Sequence, residues 1–340
     1  MFRKSNAIGW CVATGSSREI GRALGRQGRR AVQSHLVHSA IWAQVTDAAH
    51  NPVLTRIADT IRHAYPDIWT ELEGLAEGLD LPFRDVLAWN CRGDLLASVP
   101  DGCTTVQIPG NPITIAHNED GLPFFRGSCF VADLRPTDGT GIRAFCYPGS
   151  MPGHTFGWND AGLVSAVNNL RLLQIEPCIS RMVLCRNVLN CLSIDEAVGK
   201  LTENPQSGGF HMSIAQVGDE RLLSVEYGGG AASVRAITET SLHANHALHL
   251  AHESQTITQS SGDRQRRGEQ LISQETQDSL VILRDASGTG LPIRRDDPAD
   301  PDNENTLATC IFNVSSKGIE WRIYSDARGG PIYQSERAAA

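Results

Sequence analysis

Five consecutive residues, Asp101-Gly102-Cys103-Thr104-Thr105, carry the clearest chemistry in this chain. A cysteine thiol that directly follows glycine can attack the preceding carbonyl, because glycine has no side chain to obstruct the acyl shift. Hydrolysis of the resulting thioester would free the α-amine of Cys103, and a reference pKa of about 8 suits that amine to serve as the thiol's base. One residue would then hold both nucleophile and base. An ordinary buried cysteine at the start of a strand is the alternative interpretation of Gly-Cys taken alone.

Histidines suggest two other kinds of site. His117 could act as a base for Cys103, as in cysteine proteases, but the amine base makes this the less favoured assignment. Four histidines recur at every third position: His243, His246, His249 and His252. Zinc needs convergent ligands and usually a carboxylate or thiolate as well, whereas a three-residue repeat drifts around a helix and alternates faces in a strand. We therefore expect no metal site there.

Residues 12–21, Val-Ala-Thr-Gly-Ser-Ser-Arg-Glu-Ile-Gly, resemble the nucleotide-binding loop of short-chain dehydrogenases. Such a loop needs glycines where the backbone approaches a diphosphate, and Glu19 stands at the middle position. No Tyr-x-x-x-Lys motif follows, and strands do not alternate with helices. The segment instead predicts the capped start of a helix, with Ser16 or Ser17 before Glu19.

The composition excludes several classes of protein. With 340 residues, 41% of them apolar, and a net charge of −8, the chain can bury a core and is not disordered throughout. Its 30 basic and 38 acidic residues are mixed, so we expect no nucleic-acid partner. We expect no membrane partner, because no run of 18 apolar residues occurs, and we identify no signal peptide. Nine cysteines without a CxxC pair indicate reduced thiols in a cytoplasmic protein.

The positions of proline and the spacing of apolar residues divide the chain into elements. Helices are predicted within 18–42, from Asn51-Pro52 to before Tyr65-Pro66, over 66–79, and from Leu81-Pro82 to Trp89. Strands are predicted at 104–108, 113–117, 129–134, 143–147, 163–167, 212–217 and 222–227, with a final hairpin at 309–314 and 318–324. Further helices are predicted at 181–190, 194–201 and 264–274. This order of helices, strands, helices and strands favours an α+β fold over βαβ units.

Several motifs, in this order, resemble the isopenicillin N acyltransferase family, also called the acyl-coenzyme A:6-aminopenicillanic acid acyltransferases. After Cys103-Thr-Thr-Val-Gln comes Ala116-His-Asn-Glu-Asp120. The other matching segments are 18–25, 71–78 followed by Leu81-Pro82, 87–92, 157–163, the Asn168-Asn169 pair, 243–246 and Ser261-x-x-Arg264. The resemblance covers roughly residues 10 to 270.

The resemblance implies an N-terminal nucleophile hydrolase with a four-layer αββα sandwich, two antiparallel sheets lying between layers of helices. Members of this family cleave themselves at a Gly-Cys bond, so the chain would be a zymogen cut between Gly102 and Cys103. A helical α chain, residues 1–102, would remain associated with a catalytic β chain, residues 103–340, because neither part could bury its apolar faces alone.

The resemblance also implies roles for individual residues. Cys103 corresponds to the nucleophile, Asp120 to a carboxylate near the new α-amine, and Asn245 to a side-chain NH₂ donor in the oxyanion hole. Arg264 would lower the thiol pKa or bind a substrate carboxylate. Further candidates for contacts with the substrate or the oxyanion are Asn118, Asn168 and Asn169. Alternation along a strand does not decide which of the last two faces the site.

The expected reaction is acyl transfer through a thioester on Cys103, from a small amide to water or to an amine. Because the chain lacks the Gly-x-Ser-x-Gly of the penicillin-making members, a coenzyme A-dependent N-acyltransferase remains the alternative rather than the first choice. A non-catalytic or dehydrogenase-like binding protein is the other alternative. We expect a small-molecule amide as substrate and no cofactor, and an oligomer is left open.

Overall fold

The computed structural model describes residues 7–99, 101–203, 205–252, 254–276 and 278–336. The outer ends of the two predicted chains, residues 1–6 and 337–340, lie outside these ranges. Within them the backbone forms two β-sheets and ten α-helices. The α+β class predicted from the sequence is therefore confirmed.

The first sheet has eight strands. They are Gly9–Gly15 (β1), Phe130–Pro136 (β4), Ile142–Cys146 (β5), Phe156–Asn159 (β6), Leu163–Leu170 (β7), Gly209–Gln216 (β8), Leu223–Gly228 (β9) and Ala231–Ala236 (β10), in that spatial order. All neighbours are antiparallel except β1 and β4, which are parallel. The sequence did not predict β1, so this parallel pair corrects the expectation of two wholly antiparallel sheets.

The second sheet has six strands. They are Ser241–His243 (β11), Gly102–Ile108 (β2), Ile113–Gly121 (β3), Asn305–Ser315 (β12), Gly318–Tyr324 (β13) and Tyr333–Gln334 (β14), again in spatial order. All its pairs are antiparallel. The strands β2 and β3 pack against β7 and β8 of the first sheet, so the faces between the two sheets are buried.

Helices cover the outer face of each sheet. On the first sheet lie Ser17–Ser34 (α1), Ala40–Val45 (α2), Asn51–Ala64 (α3), Pro66–Leu79 (α4), Phe83–Trp89 (α5), Arg92–Leu95 (α6), Arg181–Val188 (α7) and Ile194–Thr202 (α8); on the second lie Gln259–Ser273 (α9) and Ser279–Leu283 (α10). This is the predicted four-layer αββα sandwich. Of the helices described, none has the length and apolar character needed to cross a membrane.

Four glycines allow α1 and α4 to pack closely. A methyl group at Gly21 would collide with the backbone carbonyl of Glu71, and one at Gly78 would collide with that of Arg22. Gly25 and Gly74 are equally confined by backbone atoms of the opposite helix. The motifs at 18–25 and 71–78 are therefore packing motifs, which place the helical layer against the sheet and do not take part in chemistry.

The segment that resembles a nucleotide-binding loop is a strand, a turn and a helix, but its helix N-terminus is already occupied. Glu19 Oε2 accepts hydrogen bonds from the backbone N–H of Ser16 at 2.8 Å and from its hydroxyl at 2.7 Å. A carboxylate thus takes the place that a diphosphate would need. The predicted helix start at Ser16 is confirmed, since α1 begins at the next residue.

Candidate active site

Cys103 is the second residue of β2, and its side chain lies between the two sheets. Strand pairing sets it opposite Glu119 on β3, whose carboxyl Oε2 lies 3.6 Å from the thiol Sγ. Only 3% of Cys103 is exposed. In the intact chain the predicted nucleophile is therefore sealed inside the protein and has no direct access to a substrate.

Asn245 and Arg264 hold the backbone of Cys103. The strand β11 ends at His243, and Asn245, two residues later, accepts a hydrogen bond on Oδ1 from the N–H of Cys103 at 2.9 Å. Arg264, on α9, donates from Nη1 to the carbonyl of Cys103 and from Nη2 to the same Asn245 Oδ1, at 2.6 Å. The sequence motifs therefore named two residues that the fold brings directly against Cys103.

The orientation of the Asn245 amide differs from the expectation. Its NH₂ donates to the carbonyl of Asn169 at 3.1 Å, while its oxygen receives both Cys103 and Arg264. A flipped amide would set NH₂ against two donors, so the guanidinium of Arg264 fixes this orientation. In the intact chain Asn245 thus presents an acceptor to Cys103, and its role as an oxyanion donor stays a prediction for the cleaved enzyme.

Arg264 lowers the pKa of the Cys103 thiol, as expected, but it is not the largest influence on that pKa. Burial raises the pKa of the Cys103 thiol well above its usual value, and the nearby carboxyl groups of Glu119 and Asp120 raise it further. Arg264 lowers this pKa by less than those groups raise it. The guanidinium is 1% exposed, so it is not a solvated helix residue either. Its hydrogen bonds give it a positioning role at the Cys103 backbone.

Asp120 pairs across the strands with Gly102, next to the predicted cleavage point. Its Oδ1 accepts a hydrogen bond from the hydroxyl of Thr306 at 2.6 Å, whereas Oδ2 is buried without a hydrogen-bond partner in the described part of the chain. Burial raises the pKa of this carboxyl, and the positive charges of Arg264 and Arg295 oppose the rise. The expected contact with a new amine at Cys103 stays a prediction.

The three further asparagines have different surroundings. Asn118 points to the helical face of its sheet, where it donates to the carbonyl of Leu283 at 2.8 Å and accepts from Thr309. Because neighbours in a strand face opposite sides, Glu119 rather than Asn118 faces Cys103. The expectation of an oxyanion or substrate contact at Asn118 is therefore wrong.

The side chains of Asn168 and Asn169 both contact the segment that contains Cys103, one after this residue and one before it. Asn168 accepts from the hydroxyl of Thr105 at 2.7 Å, two residues beyond Cys103. Asn169 donates to the carbonyl of Asp101 at 3.2 Å, two residues before it. Of the pair, Asn169 is the one whose side chain contacts the peptide leading into the Gly102–Cys103 bond.

Glu119 and Tyr147 are the side chains at the thiol that the sequence analysis did not single out. Glu119 is buried, and burial raises its pKa well above the usual value. Its Oε1 accepts a hydrogen bond from the hydroxyl of Tyr147, and its Oε2 lies 3.0 Å from His117 Nε2. The alternation of β3 was the available signal, since it puts Glu119 and His117 on one face.

The hydrogen-bond network fixes which atoms carry protons. The hydroxyl of Thr105 donates to Asn168 Oδ1, so it must accept at its 2.8 Å contact with His117 Nδ1, and that nitrogen carries the proton. His117 Nε2 is then free to accept the proton of a neutral Glu119. Burial lowers the pKa of His117 to about 3. As a base acting alone on Cys103, His117 is therefore disfavoured, and it contacts Glu119 instead.

The histidine repeat does not converge on one point. His243 and His249 both lie near the carboxylate of Glu226, at 2.8 and 3.7 Å. His246 instead contacts Ser261 at 2.8 Å, and His252 contacts the carbonyl of Leu173 at 2.9 Å. Cys103, His117 and Glu119 do have ligand-type atoms within 4.8 Å of one another. Glu119 Oε2 and His117 Nε2 of this group already contact each other at 3.0 Å.

The peptide before Cys103 is held in a polar environment. The carboxylate of Asp101 accepts from Arg92 Nε at 3.0 Å. A side chain on Gly102 would collide with the carboxyl group of Glu304, which is paired with Arg295 at 2.7 Å. Burial raises the pKa of Glu304 to about 7, although Arg171 and Arg295 lower it. The close approach of Glu304 gives a steric reason for glycine on the acyl side of the predicted scissile bond.

Comparisons with known proteins found a curated relative and a solved structure, both of low sequence identity. A curated relative, the β-alanyl-dopamine/carcinine hydrolase of Drosophila melanogaster, is 21% identical over 221 residues, which are 57% of this chain and 57% of that protein. The chain thus matches little more than half the length of this relative. A solved variant of the conjugated bile acid hydrolase from Clostridium perfringens covers 68% of this chain and 84% of its own, at 11% identity and a TM-score of 0.35.

The family comparison identifies the family of the chain. The model of the acyl-coenzyme A:6-aminopenicillanic acid acyl-transferase family matches residues 108–328. This span includes Asp120, Asn245 and Arg264, and it begins five residues after Cys103. Since it covers well over half of the chain, the protein belongs to the acyl-coenzyme A:6-aminopenicillanic acid acyl-transferase family.

Proposed function

We propose that this protein is a self-processing cysteine amidohydrolase or acyltransferase whose nucleophile is Cys103. One observation carries the proposal: a thiol directly after Gly102 lies 3.6 Å from the carboxyl group of Glu119, while side chains hold its own N–H and carbonyl. A cysteine kept only for packing needs no such contacts. In a member of an acyl-transferase family, a thiol with these contacts can serve as the acyl-accepting nucleophile.

Self-cleavage would begin with attack of Cys103 Sγ on the carbonyl carbon of Gly102. The thiol proton passes to Glu119 Oε2 as the proton on Glu119 moves to His117 Nε2. The C–N bond then breaks, the nitrogen takes back a proton along the same path, and a thioester joins Gly102 to Cys103. Water hydrolyses this thioester to a carboxylate on Gly102 and a free amine and thiol on Cys103.

The mature site would repeat this chemistry on a substrate. The α-amine of Cys103 accepts the thiol proton, the thiolate attacks an amide carbonyl, and the amine product leaves with that proton. The acyl thioester is then transferred to water or to a second amine. We favour hydrolysis of the amide of a small amine or amino acid, and the curated relative, also named as a hydrolase, supports this preference.

The two parts of the processed chain would stay together. Residues 1–102 supply β1, which pairs with β4 over seven positions, and helices that cover the first sheet. Separation would expose this apolar interface to water. The nine cysteines are unpaired, and we propose a reducing, cytoplasmic environment for the enzyme.

A pair of cysteine variants tests the proposed activity. Cys103→Ala should release no amine from a panel of N-acyl amines and N-acyl amino acids. Cys310→Ala, which alters an equally buried thiol on the neighbouring β12, should keep the activity of the wild type in its folded fraction. Amine release by Cys103→Ala at the wild-type rate would refute the assignment.

A further inference from the structure

Arg171 is a buried guanidinium with few partners. It directly follows β7 and is 4% exposed. Its Nε and Nη1 have no hydrogen-bond partner among the described residues. Among the residues that the structure describes, Nη2 makes the hydrogen bonds of this guanidinium, all of them long: 3.3 Å to the carbonyl of Val99, 3.4 Å to that of Asp101 and 3.4 Å to Glu304 Oε1. A buried charge that uses so few of its five N–H groups is costly unless it serves a ligand.

Two of these contacts lie on the acyl side of the predicted scissile bond. In self-cleavage the residues up to Gly102 are the acyl group that Cys103 receives. The space that Asp101 and Gly102 occupy, directly before Cys103, is what we call the acyl pocket. Arg171 and Asn169 both donate to the carbonyl oxygen of Asp101 there, at 3.4 and 3.2 Å.

The acyl pocket has two chemical constraints. The carbonyl carbon of Asp101 is three bonds from the carbonyl carbon of Gly102, the carbon that Cys103 attacks. In a substrate, a hydrogen-bond acceptor three bonds from the reacting carbonyl would therefore lie beside Arg171 and Asn169. The carbon next to the scissile carbonyl must be unbranched, because Glu304 and Asp120 lie where a side chain on Gly102 would project. A carboxylate three bonds from the reacting carbonyl, on a chain of two CH₂ groups, satisfies both constraints.

We propose that the acyl pocket of the processed enzyme binds short, unbranched dicarboxylic acyl groups, such as succinyl, and that Arg171 binds their free carboxylate. This inference rests on the proposed function, since processing must first free the pocket. The planar guanidinium can offer Nη2, which contacts the carbonyl of Asp101 in the intact chain, together with Nε or Nη1 to the two carboxylate oxygens. The products would be a dicarboxylate and an amine.

The test compares amides of one fluorogenic amine, 7-amino-4-methylcoumarin, on protein shown by mass to be cut. The N-succinyl amide should exceed the N-butanoyl amide in kcat/KM by at least about tenfold. A succinyl amide with a methyl group next to the scissile carbonyl should be a poor substrate. Arg171→Gln should lower kcat/KM for the succinyl amide by about 10- to 100-fold and leave that for the butanoyl amide within about threefold.

A second measurement does not depend on turnover. Succinate, but not butyrate, should slow the alkylation of Cys103 by iodoacetamide in the processed wild type. If Arg171→Gln stays uncut, this measurement by itself tests whether the acyl pocket binds a dicarboxylate. Equal kcat/KM for the two amides, or equal effects of succinate and butyrate, would overturn the acyl-pocket assignment and leave the proposed function standing. A chain that is never cut would overturn both.

Discussion

Gly102→Ala tests the packing around the predicted scissile bond. An added Cβ would lie 3.1 Å from Glu304 Cδ, closer still to its Oε2, and 3.3 Å from Asp120 Cβ. The φ of Gly102 is not in the left-handed region, so alanine meets no backbone strain and the collision is the whole effect on the folded state. Stability should be measured in a Cys103→Ala background, which keeps every chain intact.

The expected loss of stability follows from how firmly Glu304 is held. Its Oε2 is 2.7 Å from Arg295 Nη1 and its Oε1 is 3.4 Å from Arg171 Nη2, so it cannot withdraw without weakening both pairs. Overpacking of this kind costs about 1–3 kcal/mol. Replacing glycine restricts the unfolded chain and returns about 0.4–1 kcal/mol. The free energy of unfolding should therefore fall by about 1–2 kcal/mol, measured by urea titration.

Two control variants separate the collision with Glu304 from the general effect of replacing glycine by alanine. Gly262→Ala, on α9, places its Cβ no closer than 4.0 Å to another residue, and should raise stability by about 0.5–1 kcal/mol as expected for a helical glycine. In a Glu304→Ala background the closest contact is gone and only Asp120 Cβ remains at 3.3 Å, so Gly102→Ala should destabilise much less. An undiminished loss in that background would refute the contact on which the reasoning depends.

Three other variants or states give independent predictions. Glu119→Gln cannot relay a proton and should slow self-cleavage at least about 100-fold, whereas Asn118→Ala should still be cut, as followed on denaturing gels. The folded-state pKa of Glu304 is about 7 against 4.5 for the exposed group, so the native state holds an extra proton and loses stability as the pH rises from 4.5 to 7. In the uncut Cys103→Ala chain, Glu304→Gln should therefore be more stable than its parent at pH 8, by up to about 3 kcal/mol, with no advantage near pH 4. In the cut protein, Cys103 lies beside a free amine and should react with iodoacetamide faster than Cys91 does. Burial raises the pKa of the Cys91 thiol well above its usual value. Faster labelling of Cys91 in peptide maps would contradict this.

Elements with strong local signals could be predicted from the sequence. The helix Pro66–Leu79 has the predicted bounds, because proline starts it and its apolar residues recur at helical spacing. The helix predicted at 264–274 begins earlier, at Gln259, because Thr258 caps it in a polar stretch without apolar periodicity. The sequence did not predict five strands: β1, β6, β10, β11 and β14. Four of them lie at sheet edges, and β6, an interior strand, has only four residues.

The site could be predicted as a set of residues but not as a set of roles. Ordered motifs named Cys103, Asp120, Asn245 and Arg264, and the fold brings them to one place. Roles depend on which atom of each side chain meets which neighbour. The orientation of the Asn245 amide follows from Arg264, 19 residues away, and no local pattern encodes such a contact.

The same reason explains why Glu119 was not singled out. Its carboxyl group gains its raised pKa from burial between two sheets, and its partner Tyr147 comes from a strand connection in the other sheet. Burial of that kind exists only after the layers have assembled. Strand alternation alone could have placed Glu119 beside Cys103, once β2 and β3 were taken as a pair.

Intact-mass analysis of the purified chain tests the central claim most directly. Self-cleavage predicts two species of about 11 and 26 kDa, in proportion to the 36.8 kDa of the whole, that elute together under native conditions and separate in denaturant. The larger species should have the mass of residues 103–340 and an N-terminal Cys103. The Cys103→Ala chain should give a single mass for residues 1–340. A fully active wild-type protein that consists only of the unbroken chain would contradict the account.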